Sequence, residues 1–182
     1  MNRAGSRAVL AASARRARAT AVILPIAFMA ACGQSDEEAL RAAFAEMRDA
    51  AVRRDYEKAW EYVDSGSKES LSKQLRGLKD IKETDALFEP SWRMLREQFG
   101  LRREDVVNCD VRQYFVAMLR GLDRVRPELR ARQIDETRGR ELVSIAIDGS
   151  SAEMKTRATS GAVATYTWVK EGTWKCKAEV PE

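Results

Sequence analysis

The chain has 182 residues, 33% of them charged, and a sequence pI near 9.1 with a formal net charge of +4. Its excess basicity sits at one end: the first 31 residues carry five arginines (Arg3, Arg7, Arg15, Arg16, Arg18) and no acid, so the rest holds 27 basic against 28 acidic residues. A body with net charge near −1 has no global field to gather a polyanion, so no nucleic-acid partner is expected. Histidine is absent, which excludes histidine-based triads, histidine zinc sites and the commonest general base near neutral pH.

Residues 1–20 are basic and rich in small side chains, and residues 21–31 (AVILPIAFMAA) form an apolar run. Eleven residues span about 16 Å as a helix, half of a ~30 Å hydrocarbon core. That is too short to cross a bilayer and the right size for the apolar part of a signal peptide. The run ends in Met29-Ala30-Ala31-Cys32-Gly33, which resembles the lipobox of bacterial lipoproteins. The resemblance implies cleavage before Cys32, acyl chains on its thiol and a membrane-anchored place in the cell envelope. Gly33 after the cysteine, instead of aspartate, implies the outer membrane facing the periplasm if the source is Gram-negative. Arg15-Arg16 lacks the apolar residues that follow a twin-arginine pair, which favours the general secretory route. Residues 1–31 are thus expected to be the signal peptide, 32–35 a short tether and 36–182 a single domain.

Ser35-Asp36-Glu37-Glu38 fits a capping box with acids at the positive end of a helix dipole. Leu40, Phe44, Met47 and Ala51 then form one apolar stripe to about Arg53. Asp55-Tyr56 opens a second short helix carrying Tyr56, Trp60 and Val63, and Ser65-Gly66-Ser67 is expected to end it. Leu71, Leu75 and Leu78 mark a third helix. Pro90 is expected to open a fourth, with Trp92, Leu95 and Phe99 as its buried face and Gly100 as terminator. Asp110 can cap a fifth with a broad apolar face including Tyr114, Phe115 and Met118, limited by Pro127. Helices are expected to about residue 126.

From about residue 140 the period turns alternating. Glu141–Ile147 is rich in Val and Ile, and Asp148-Gly149 is a tight-turn signal. Ala152, Met154 and Thr156 alternate with charged residues. Val163–Val169 is dense in β-branched and aromatic residues, and Glu171-Gly172 turns the chain into Trp174, Cys176, Ala178 and Val180. Helices first and strands last predict an α+β domain, its N-terminal helices packed on a curled C-terminal antiparallel meander.

The stretch AAFAEMRDAAVRRDYEKAWEYVDSGSKESL and the ending YTWVKEGTWKCKAE are similar to the opening helices and last hairpin of the cone-shaped nuclear-transport-factor-2-like superfamily. That resemblance implies a cavity between sheet and helices and no particular activity, because the fold hosts isomerases, dehydratases and binding modules alike. Trp60, Tyr114, Tyr166 and Trp168 are candidates to line the cavity, though their spacing is also what core packing produces.

With Cys32 acylated, Cys109 and Cys176 are too few for a thiolate metal site, and in an oxidising compartment they are candidates for a disulfide. No phosphate-binding or nucleophile motif occurs, and no cofactor is expected. Seven arginines between Arg120 and Arg140 exceed the acids there by three; they could meet lipid head groups or be a solvated face. The expected function is a membrane-tethered, non-catalytic domain binding a small apolar ligand or a protein partner. The alternative is a small-molecule enzyme of isomerase, dehydratase or cyclase type using an Asp (Asp64, Asp85 or Asp110) or a Tyr in the cavity.

Overall fold

A computed structural model describes residues 35–178. Its elements are α1 (Asp36–Arg53), α2 (Tyr56–Glu61), α3 (Ser65–Asp80), α4 (Phe88–Phe99), α5 (Arg103–Val107), α6 (Val111–Val125), α7 (Pro127–Arg138), β1 (Glu141–Asp148), β2 (Ser151–Arg157), β3 (Val163–Glu171) and β4 (Thr173–Cys176). The class is α+β, with the strands forming one antiparallel sheet in the order β1-β2-β3-β4. No described helix is long and apolar enough to cross a membrane.

Side-chain caps set most helix starts. Ser35 accepts from the Glu38 amide while Glu38 accepts from the Ser35 amide, closing the capping box of α1. Asp55 caps α2, Asp64 caps α3 and Asp110 caps α6. Each carboxylate satisfies N–H groups that have no partner within the helix. Asp64 corrects one sequence expectation: Ser65-Gly66-Ser67 is the first turn of α3, not the end of α2. Pro90 likewise lies within α4, at the third helical position, where its missing N–H still breaks no intrahelical bond. Gly100 ends α4 at φ +62°, a conformation glycine adopts without a Cβ penalty.

Two elements depart from the expected order. A short α5 interrupts the loop between Gly100 and Asp110. Pro127 opens a seventh helix where the sequence suggested only a stop; of its twelve residues Ile134 alone is buried.

Two apolar clusters form the interior. Leu71, Leu75, Leu78, Trp92, Leu95, Leu101, Val106 and Tyr114 join α3, α4, α5 and α6. Leu40 and Phe44 of α1 pack on the sheet against Ala152, Met154, Trp168, Trp174 and Cys176. The strands alternate as a one-sided sheet requires: along β2, Ala152, Met154 and Thr156 are buried and the residues between them exposed. β1 is an edge strand, with a register shift between Leu142 and Ser144.

At the other edge, Val63 bridges Cys176 in parallel. The Cys176 amide donates to the Tyr62 carbonyl (2.7 Å) and the Asp64 amide to the Cys176 carbonyl (3.1 Å). This bridge fixes the start of α3 against β4 and so places the site described next.

Candidate functional site

A cavity of about 940 Å³ lies among the described residues between the start of α3 and β3. β4 pairs with β3 only over Trp168–Glu171, and the ladder continues one step further as the Lys177 amide donates to the Thr167 carbonyl (2.8 Å). Among the described residues, the β3 segment Ala164–Thr167 lines one side of the cavity. Gly66, Ser67 and Ser70 of α3 form the facing wall, Met47 of α1 closes one side, and Cys176–Ala178 form the floor. Val180, expected to continue the inward alternation, lies outside the described residues.

Asp64 is the carboxylate of this cavity, and only 3% of it is exposed. Both oxygens work as a helix cap: Oδ2 accepts from the Gly66 amide (3.0 Å), each oxygen accepts from the Ser67 amide (3.3 Å), and the Ser67 hydroxyl donates to Oδ1. Ser67 Oγ also accepts from the Ala178 amide (3.1 Å). The polar groups of the floor thus satisfy one another, as buried groups must. Cys176 lies beside them, its thiol pushed up to about 12 by burial and, secondarily, by the negative charge of Asp64. A thiol held protonated is a poor nucleophile. The remaining lining mixes Met47, Ala164, Ala178 and the Tyr166 ring, whose centroid is 5.7 Å from that of Phe44, with Ser70, Thr165, Thr167 and Lys177.

Of the four aromatic side chains expected at a cavity, Tyr166 alone lines this one. Trp168 is fully buried in the sheet cluster and Tyr114 in the helical cluster; burial pushes the Tyr114 hydroxyl up to about 12. Trp60 packs on Phe115, centroids 5.2 Å apart, with the Lys68 ammonium 5.0 Å from its ring centroid. These three are packing residues, as their spacing allowed.

The expected Cys109–Cys176 disulfide is absent: both thiols are free. They belong to different clusters. Cys109 packs against the helical core and its Sγ donates to the Val106 carbonyl (3.1 Å), while Cys176 belongs to the sheet core. Cys32, the expected lipid attachment point, lies outside the described residues. Asp110 and Asp85 serve local structure: Asp110 forms a capping box with Gln113, and Asp85 accepts from the Lys82 amide (2.8 Å). Among the described residues no cluster of His, Cys, Asp or Glu is placed to hold a metal ion.

No known family, characterised protein or solved structure matches the chain.

One polar constellation had no sequence signal. The Tyr56 hydroxyl donates to Asp123 Oδ2 (2.6 Å), and Arg130 donates through Nη2 to that hydroxyl (3.1 Å) and through Nε to Asp123 Oδ1 (3.3 Å). Burial, and then the acceptor Asp123, raise the Tyr56 pKa. The three side chains tie α2, α6 and α7 together, and none can be linked to another by a spacing rule. Arg130 Nη1 donates besides to Gln133 Oε1 (2.8 Å), and the network works as a structural clasp.

Proposed function

We propose that the chain is a bacterial lipoprotein precursor, cut before Cys32, whose mature domain is a non-catalytic binding module held at a cell-envelope membrane. In a Gram-negative cell, Gly33 directs it to the outer membrane, facing the periplasm. The ligand site is the cavity between α3 and β3, and it takes a small apolar ligand or an apolar part of a protein partner. The observation that carries this reading is the mutual satisfaction of Asp64 and Ser67. It leaves Met47, Ala164, Tyr166 and Ala178 as apolar contact surface, flanked by Ser70, Thr165, Thr167 and Lys177, in a volume suited to a small ligand. The two-helix opening with its Asp55 cap and the closing β3–β4 hairpin support the nuclear-transport-factor-2-like reading of the fold. The near-zero charge of the mature chain supports a partner other than nucleic acid.

The competing reading is an enzyme, favoured by one observation: Asp64 and Tyr166 line the same cavity. Against it stands the cap, because both Asp64 oxygens are already taken up by two amides and a hydroxyl of the α3 start and are not turned toward a substrate.

Two measurements test the proposal. Cys32→Ser should leave unprocessed precursor where the parent chain yields an acylated, membrane-bound form; normal maturation and membrane retention of that variant would refute the tether. Mild-detergent extraction of the acylated protein, followed by mass spectrometry, should recover a bound apolar molecule or partner that Ala164→Trp, a substitution filling the cavity, no longer retains. Equal recovery from both proteins would refute the site.

A further inference from the structure

The geometry points to a defined membrane-facing surface: the tips of the β1–β2 and β3–β4 hairpins, held toward the lipid head groups while Arg126 and Arg132, at and within α7, lie away from them. This inference rests on acylation of Cys32. Only residues 33 and 34 separate that cysteine from Ser35, a reach of about 10 Å. The first turn of α1 is clamped to the β3–β4 hairpin. Trp174 Nε1 donates to the Asp36 carbonyl (3.1 Å) and Lys170 Nζ to Asp36 Oδ1 (2.5 Å). The Lys170 amide donates to the Ser150 carbonyl (2.8 Å), which brings the β1–β2 tip to the same end. The capping box starts the helix at Asp36 and leaves no hinge after Ser35.

The arginines lie elsewhere. α7 begins beside Tyr56, as the Arg130–Tyr56 bond shows, and Tyr56 follows the far end of α1. Eighteen residues of helix put that end about 27 Å from the tether. Arg126 and Arg132 therefore face away from a bilayer that the hairpin tips face, which sets aside a head-group role for them. Charges at the near end almost balance: Asp36, Glu37, Glu38, Asp148 and Glu171 stand with Lys170, Lys175, Lys68 and Arg41. The tips are therefore held at the head groups by the tether and not by a net charge of their own.

The test uses the full acylated protein in vesicles of phosphatidylethanolamine and phosphatidylglycerol doped with a nickel-chelating lipid. Spin labels are placed at Ser150→Cys or Thr173→Cys near the tips, and at Ser160→Cys or Arg132→Cys at the opposite end, in a Cys109→Ala, Cys176→Ala background. Relaxation by the head-group nickel should be several-fold greater at the two tip positions. Hydrogen exchange of the unsubstituted acylated protein keeps the test independent of the label background: membrane-dependent protection should fall on residues 148–151 and 171–173. Equal relaxation at both ends, stronger relaxation at Arg132, or protection centred on α7 would overturn the orientation alone. A mature N-terminus lacking the acyl mass would overturn the tether and this inference with it.

Discussion

Two glycines, both inside helices, should respond to alanine with opposite signs. Gly121 of α6 lies against the last residue of α4: a Cβ there would sit 1.8 Å from the Phe99 carbonyl oxygen and 2.8 Å from its carbon. Real Cβ atoms stay beyond about 3.0 Å, so α4 and α6 would have to part by roughly 1.2 Å at a backbone atom with no rotamer to yield. That separation loosens Trp92, Leu95 and Tyr114, which meet between these helices. Overpacking a close-packed interior costs about 1–3 kcal/mol, against an intrinsic helical gain of about 1 kcal/mol for Gly→Ala. Because the clash is with backbone, the upper part of that range applies, and Gly121→Ala should lose about 2 kcal/mol net. Gly77 of α3 is exposed with nothing within 4 Å of its would-be Cβ. Gly77→Ala should therefore stabilise by up to about 1 kcal/mol. Urea unfolding followed by tryptophan fluorescence and circular dichroism reads both changes as midpoint shifts at unchanged slope. A neutral or stabilising Gly121→Ala at unchanged slope would refute the close approach of α4 and α6.

The clasp should be costly to halve: Asp123→Ala leaves Arg130 partly buried and unpaired and should destabilise by about 3 kcal/mol. Tyr56→Phe, which removes one hydroxyl, should cost about 1 kcal/mol; equal losses for the two variants would contradict the roles assigned here. Denatured, unreduced mature protein should titrate two free thiols besides the acylated Cys32, and in the native state Cys109 should react before the more buried Cys176. A value of zero would restore the disulfide. The Cys176 thiol, raised in the fold to about 12 from an ordinary 9.0, contributes stability that is complete below pH 9 and is lost as pH climbs toward 12, because only the unfolded chain ionises there. Cys176→Val should remove that part of the alkaline decline, and parallel stability curves for the two proteins would exclude it.

Legibility followed the strength of local signals. The stripe Leu40–Phe44, the leucines of α3 and the alternation of β2 each repeat one apolar period, so burial and element type could be read together. α7 could not be read this way, because Ile134 is its only buried residue and Pro127 signals a stop as readily as a start. Ser65-Gly66-Ser67 misled for a related reason: the residues that break helices also begin them, and Asp64 decides which applies. At the site, the inward direction of Cys176 and Tyr166 followed from alternation. Which residues face them did not, since Asp64 reaches Cys176 through a parallel bridge across more than a hundred residues. The disulfide expectation failed at the same step: Cys176 faces the sheet core as its alternation suggested, but half-buried Cys109 packs against the helical cluster instead.

The edge strand β1 has a consequence for handling the protein. From Leu142 to Ile147 it carries no charge and no proline, and Val143 and Ile147 are 47% and 37% exposed. Its outer row of amides and carbonyls is unpaired among the described residues, so it is a template for another chain's strand. The register shift after Leu142 bends that template and shortens its straight run, while Glu141 and Asp148 guard its ends. Crowding copies together, whether by overproduction or by confinement to a surface, should therefore expose a slow aggregation route that begins at this strand. A lysine in place of Val143 is the substitution that should close it without touching the cavity.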